Sequence, residues 1–503
     1  MVVVRSPKTR MTIMVLLLLS LSLFPISLHD NRSGPVIAGP DHTISIDGSA
    51  LIQDTPYVWQ EISGFCFWAA VTMALGGAEV PLTLHEFFAA SGIGFSAAYI
   101  RFNDTMTFLA GSAYIQVGQL VPICDFYGLE QKFYLSETSP WVDTAIELWS
   151  QWNPDINTIH GWNDAFEIMK NTLDEGYPVV LWTDPYYLPP DDYQILRDYG
   201  LFQNTTAPVS GHAVLAIGYN DTSETVEILD PGVGAFGDDF GYPEDGRWRY
   251  TMNYSQLNNA WGAFAYGTTT IKPENGTKPD FQTELGEFVA SRLLGAQESY
   301  IPFTDEDAFF LNFGEKAFRG LSYDITPEGV ALYIEEYDNF EDQIDRLANL
   351  GMFLEFMLTL QYLSYRTALE SLPRLLTDFD LTDFLVAGQN ALTHLDALSD
   401  NGTLVDFDYL ANHDSLLSNT FFEMVEEFDS SRNLDVVLEN HRQDLADIAG
   451  HLLATADSWR AAGIALQAAL ESQAQPMSLI LPLTGAFGVV VVLALVLRRR
   501  IGT

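Results

Sequence analysis

Cysteine is scarce: the 503-residue chain holds only Cys66 and Cys124. Two cysteines exclude a disulfide framework, and no Cys/His grouping has the spacing of a zinc site. Basic residues are scarce too, with 24 Lys and Arg against 67 Asp and Glu and a net charge of −43. Of these, Arg5, Lys8, Arg10, Arg498, Arg499 and Arg500 sit at the two ends, so the stretch between is more acidic still. Such a surface repels phosphate backbones and excludes nucleic acid as a partner. No Gly-rich phosphate loop follows a strand, and the acidic stretch "GDDFGYPEDG" (237–246) lacks the ligand pattern of an EF-hand. No cofactor and no metal is expected.

Long charge-free apolar runs are confined to the ends. "MTIMVLLLLSLSLFPIS" follows the basic residues 5–10 and reads as a signal peptide, residues 1–30. Residues 478–497 carry no charge, are long enough to span a bilayer, and abut "RRR". This predicts a transmembrane helix with a cytoplasmic tail, 498–503, and a cell-surface protein anchored through its C-terminal helix. Asn-x-Ser/Thr sequons at Asn31, Asn103, Asn204, Asn220, Asn253, Asn275 and Asn401 are candidate glycan sites in that setting.

Between the ends, "IKPENGTKPD" (271–280) reads as a linker. Before it, residues 45–275 open with helical patterns, from Cys66 to Leu75, in "LTLHEFFAAS", in "IQVGQLVPICDFYGL" and in "WNDAFEIMKNTLDEG". Strand-like runs follow: "PVVLWTD", "HAVLAIGYN", "TVEILDP", "RWRYTM" and "AFAYGTTTI". Helices followed by consecutive strands predict an α+β domain with helices packed on an antiparallel sheet. Residues 281–472 read as an acidic, all-α helical domain, with a heptad-like seam at Leu434, Leu438, His441, Leu445, Ile448, Leu452, Thr455 and Trp459. His441 is read as a polar seam residue rather than a ligand.

The chemistry concentrates around "WQEISGFCFWAA" (59–70). Cys66 opens a helix, where unpaired N–H groups and the positive dipole end favour thiolate. Three readings of Cys66 stand side by side: a nucleophile, half of a disulfide with Cys124, or a small buried side chain. A nucleophile needs a base, an orienter and an oxyanion donor. His212 heads the β-forming run "HAVLAIGYN", and a hairpin centred near residue 221 brings Asp230 opposite it. Gln60, six residues before Cys66, carries an amide able to donate to an oxyanion. Asp184 in "WTDPYYLPP" is either a cleft residue or a turn former, and His85 reads as a packing residue.

A Gln-x5-Cys element opening a helix, a distant His-Ala-Val strand and an Asp-Pro at the next strand's end resemble the papain-like cysteine enzymes. Two branches are similar: the bacteriocin-leader-processing peptidase-like domain, for "LDPG", and the butirosin biosynthesis protein H N-terminal domain, for "GIGFSAAYI" and "LDEGYPVVLWTDPYYLPP". The resemblance implies an α+β papain-like fold with Cys66 as nucleophile, His212 as base, Asp230 as orienter and Gln60 as oxyanion donor. It implies acyl transfer through a thioester, with a peptide or amide as substrate; the second branch implies an amine acceptor instead of water. A non-catalytic binding module on the same scaffold is the third alternative. Position 67 holds Phe where these branches have Gly.

Overall fold

The computed structural model describes residues 43–474 except 47, 63, 103–104, 115–119, 139–155, 195–196, 198–210, 236–240, 275–280, 296, 305–306, 336, 338 and 400–414. The expected signal peptide (1–30), membrane helix (478–497) and tail (498–503) lie outside the described residues. Among those described, no helix is long and apolar enough to cross a membrane. Of the sequons, only Asn220 and Asn253 are described; Asn253 caps a helix by accepting from Gln256 N–H.

The chain runs β1 (Thr43–Ile46), β2 (Ser49–Ile52), α1 (Cys66–Gly77), α2 (Leu84–Ala90), β3 (Ala97–Phe102), β4 (Thr105–Ala110), α3 (Leu120–Tyr127), β5 (Leu129–Ser136) and β6 (Ile156–Ile159). Then come α4 (Trp162–Asp174), β7 (Val179–Thr183), β8 (His212–Asn220), β9 (Thr225–Leu229), β10 (Arg249–Asn253), α5 (Tyr254–Gly262) and β11 (Thr268–Pro273). These give the expected α+β region, in which one sheet has the order β1-β2-β8-β7-β11-β5-β6, with β9 paired to β8 and β10 to β9. Its pairings are antiparallel except β5–β6, which is parallel.

Local chemistry explains the elements that carry the site. α1, "CFWAAVTMALGG", is apolar all round and buried from Phe67 to Leu75, the mark of a core helix. It ends where Gly76 and Gly77 let Pro56 and Pro178 approach; a Cβ at either glycine would meet proline Cγ at 2.5 Å. α2 starts with a capping box between Thr83 and Glu86. β8 is buried from His212 to Tyr219, as a central strand covered on both faces must be. One face packs Ala213, Leu215 and Ile217 against α1; the other packs Val214 and Ala216 against Met169 and Leu173 of α4.

One expectation needs correction. The register is Asn220↔Thr225 to Leu215↔Leu229, with an irregularity between Ala216 and Gly218. Continued, it sets Asp230 opposite Val214, two residues from His212. The turn pairs Asn220 with Thr225 and so centres the hairpin later than residue 221, the bulge moves the pairing back by one residue, and the two side chains meet as diagonal neighbours on one face.

The C-terminal region is helical, as expected, and its first part adds a feature the periodicity did not indicate. After α6 (Phe281–Leu294) come β12 (Gln297–Thr304) and β13 (Asp307–Phe313), and β13 pairs antiparallel with β3 in a second sheet, order β12-β13-β3-β4. The helices that follow include α7 (Glu315–Asp324), α8 (Phe340–Leu375), α9 (Thr382–Asp396), α10 (Leu416–Ser431), α11 (Leu434–Asn440) and α12 (Arg442–Ala474). The expected seam is broken between α11 and α12, yet Leu438, His441, Leu445, Ile448, Leu452, Thr455 and Trp459 are all buried. His441 pairs with Glu427 (3.2 Å) and Asp444 (3.0 Å), so it is a satisfied seam residue. α8 reaches across the expected linker: Gln361 Oε1 accepts from Gly111 N–H (3.0 Å) and its Nε2 donates to Gly94 O (3.1 Å), both buried. Trp68 of α1, Leu354 of α8 and Trp459 of α12 belong to one continuous core.

Candidate active site

The segment ahead of α1 is tied to the loop after β9. Tyr57 Oη donates to Asp230 O, Trp59 Nε1 to Val233 O, and Gln60 N to Pro231 O, each at 3.1 Å. The Tyr57 ring also stacks on Trp248, with centroids 4.0 Å apart. These ties bring the start of α1 against the end of β9, although the residues are more than 170 positions apart.

Cys66 is the first residue of α1. Phe65, the N-cap, provides no side-chain cap, and no acidic residue lies in the first turn, so nothing on the helix competes for the positive end. The half-buried sulfur meets the His212 imidazole and the backbone N–H groups of Ala213 and Phe67. Burial pushes the thiol up; the charge and hydrogen bond of His212 and the two N–H groups outweigh it and hold the thiol below its ordinary value. Both cysteines are free, so the Cys66–Cys124 disulfide alternative is excluded. Cys124 is buried and apolar-packed, and burial pushes its thiol far up, so it is inert.

His212 opens β8, its side chain 4% exposed, with Nε2 2.8 Å from Asp230 Oδ1. A carboxylate accepts only, so Nε2 carries the proton of that bond, and Nδ1 remains for Cys66. Burial pulls the imidazolium down, but Asp230 and Cys66 together raise it to about 10. Each group therefore favours the charged form of the other.

Asp230 is wholly buried. Besides His212 it accepts from Tyr193 Oη (2.9 Å) and Gly232 N–H (2.9 Å) on Oδ1, and from Tyr250 Oη (2.8 Å) on Oδ2. Tyr193 Oη also lies 3.0 Å from His212 Nε2. Neither tyrosine was singled out from the sequence. Tyr193 sits in a 3-10 turn, Asp191–Tyr193, whose position no periodicity signals. Tyr250 was traceable, because "RWRYTM" reads as the strand after "TVEILDP", and Tyr250 pairs with Ile228 in β9. Gly232 is needed for close approach: a Cβ there would stand 2.6 Å from His212 Cε1 and 2.5 Å from Tyr193 Oη.

The remaining candidates fall into place. Gln60 is fully buried, and its Nε2 donates to Ile62 O at 3.0 Å, which leaves one amide hydrogen uncommitted. Phe67 packs edge-on against Trp68 (4.9 Å) and Trp182 (5.3 Å) and is buried core, pointing into the α1–β7 contact. Asp184 accepts from Tyr186 N–H at 2.9 Å and forms the turn after β7. His85 pairs with Glu61 at 3.0 Å on the surface. Among the described residues no group of three or more His, Cys, Asp or Glu is placed to hold a metal ion.

Cys66, His212 and Asp230 thus stand in sequence at the junction of a core helix and a sheet. Residues 52–266 match the model of the Peptidase_C39 like family. No curated protein matches the chain. The Peptidase_C39-like stretch runs from the end of β2 to the turn before β11, so it contains Gln60, Cys66, His212 and Asp230 together with Tyr193 and Tyr250. The match is consistent with a cysteine-peptidase-like domain over those residues; β12, β13 and the helices beyond them fall outside it.

Proposed function

We propose that Cys66, His212 and Asp230 form a catalytic triad and that the protein hydrolyses a peptide or amide through a thioester. What supports the reading most is the unbroken chain of contacts from the Cys66 sulfur through the imidazole to a carboxylate with four donors. The Cys66 thiolate attacks the carbonyl carbon, and the carbonyl electrons move to oxygen. Gln60, through its second amide hydrogen, stabilises that oxyanion. Collapse expels the amine, which takes the proton of the His212 imidazolium and leaves the acyl group on sulfur. His212 then accepts a proton from water; the hydroxide attacks the thioester, the acid departs, and the thiolate–imidazolium pair is restored. Asp230 fixes the ring so that Nδ1 faces sulfur and balances the imidazolium charge.

Water is the acceptor in this reading because the charge-free segment 478–497 suits an anchored chain acting outside the cell. The test is turnover of a peptide and amide library by the wild-type protein and by Cys66→Ala, with and without an added primary amine. Release of free acid that Cys66→Ala abolishes supports the triad, and capture of the acyl group by the amine assigns a transferase instead. Undiminished turnover in Cys66→Ala, or none in the wild type, overturns the catalytic reading in favour of a binding module.

A further inference from the structure

The proposed triad uses one oxygen of Asp230 for His212, but the structure builds more around that carboxylate than a triad requires. Tyr193 and Tyr250 come from different elements, a 3-10 turn and β10, and converge on opposite oxygens at 2.9 and 2.8 Å. The Tyr193 hydroxyl has one hydrogen, which goes to Oδ1, so its oxygen faces the Nε2 hydrogen of His212 at 3.0 Å. Tyr193, His212 and Asp230 therefore form a closed triangle of contacts of 2.9, 3.0 and 2.8 Å.

We infer that Tyr193 and Tyr250 are positioning residues that fix the rotation of Asp230 against His212, and so set how far into acid Cys66 stays reactive. The inference rests on the proposed triad. A buried carboxylate without water needs donors to remain charged. Two phenols meet that need without adding charge, and a tyrosine in an apolar setting does not itself ionise; burial and the Asp230 charge hold both hydroxyls well above their ordinary value. The groups facing Asp230 from every side fit this assignment. His212 of β8 and Gly232 N–H hold Oδ1, while Tyr57, ahead of α1, reaches only the Asp230 backbone oxygen. Cys66 of α1 lies beyond the imidazole. The neighbouring charge of Asp192 is engaged by Gly234 N–H (2.8 Å) and by Arg247 (3.3 Å), so Asp192 does not compete for either tyrosine.

The chain of consequence is electrostatic. With one phenol gone, the Asp230 carboxylate loses a donor that fixes its rotation and faces His212 less squarely. The imidazolium is then less well paired, and the Cys66 thiolate beside it is less well supported. The acid limb of Cys66 reactivity accordingly moves to higher pH, by about one unit per charged hydrogen bond removed, or roughly tenfold in rate on that limb.

The experiment is the rate of iodoacetamide alkylation of Cys66, followed by peptide mass across the acid and neutral range. It uses the full chain as wild type, Tyr193→Phe and Tyr250→Phe. Expected is an acid limb shifted upward in both variants, with Tyr193→Phe the more affected because its hydroxyl also touches His212. Since Tyr193 is wholly buried and its substitution can impair folding, Tyr250→Phe, on the other oxygen and at a partly exposed position, carries the test independently. Folded variants with limbs superimposable on wild type overturn the inference while leaving the triad intact. A wild-type Cys66 that alkylates like an ordinary thiol overturns the triad reading itself.

Discussion

Replacing Asp230 with Asn keeps the volume and removes the charge on which the site depends. The imidazolium, ordinarily near 6.5, is raised to about 10 with Asp230 and Cys66 as the causes. Burial works against that rise, so the two partners together outweigh it. Removing one partner of a buried charge pair costs ~3–5 kcal/mol, and Asp230→Asn should lose somewhat less, about 2–3 kcal/mol, because the imidazolium can discharge onto the thiolate. The sign follows from the direction: a raised imidazolium contributes stability fully below pH ~6.5 and loses it as pH rises through about 10. Urea unfolding of both proteins should show that gap in mildly acidic and neutral solution, with an unchanged slope, and should show it closing above about pH 10. Alkylation of Cys66 by iodoacetamide should slow by roughly 30- to 150-fold, the same free energy expressed as thiolate. Equal unfolding free energies, or unaltered alkylation, would refute the claim that the Asp230 charge supports the pair.

Three further outcomes are expected. The pH profile of kcat/KM should be a bell whose alkaline limb lies near 10, where His212 loses the proton owed to the leaving amine, and whose acid limb lies below the ordinary thiol value of ~8.5. Gly232→Ala places a methyl 2.6 Å from His212 Cε1; kcat should fall at least tenfold while the melting temperature moves by a few degrees, in ~1–3 kcal/mol of overpacking. Gly94→Ala sets a Cβ 2.5 Å from Ser364 O of α8; it should destabilise the whole protein by about 1–3 kcal/mol in a single thermal transition, because α8 and the Peptidase_C39-like stretch share one core. Two separate transitions, only one of them shifted, would contradict that shared core.

What was legible in the sequence followed from local chemistry. A cysteine opening an apolar helix, a histidine heading a β-forming run and an Asp-Pro closing the next strand are short-range signals, and the structure brings their side chains together. The diagonal meeting of His212 and Asp230 was not legible to the residue, because the turn pairs Asn220 with Thr225 and so centres the hairpin later than residue 221, and the irregularity near Ile217 recovers only one residue of that offset. Pairing of β13 with β3 joins residues some two hundred positions apart, and nothing in the composition of either strand names its partner. Tyr193 was hidden for the same reason: a tyrosine in a turn reads as packing until the carboxylate it reaches is located, whereas the strand run holding Tyr250 left it traceable. Phe67, where the resembling branches have glycine, is explained by the aromatic contact between α1 and β7.

The measurement that bears most directly on the central claim is the capture of an acyl group on Cys66. The intact protein is treated briefly with p-nitrophenyl acetate near neutral pH, quenched in acid, and the Cys66 peptide is weighed before and after hydroxylamine. The account predicts a rapid burst of nitrophenol, one acetyl group on Cys66 that hydroxylamine removes, and no burst from Cys66→Ala or His212→Ala. Acetyl groups spread over lysines and hydroxyls, with Cys66 unmodified, would contradict it.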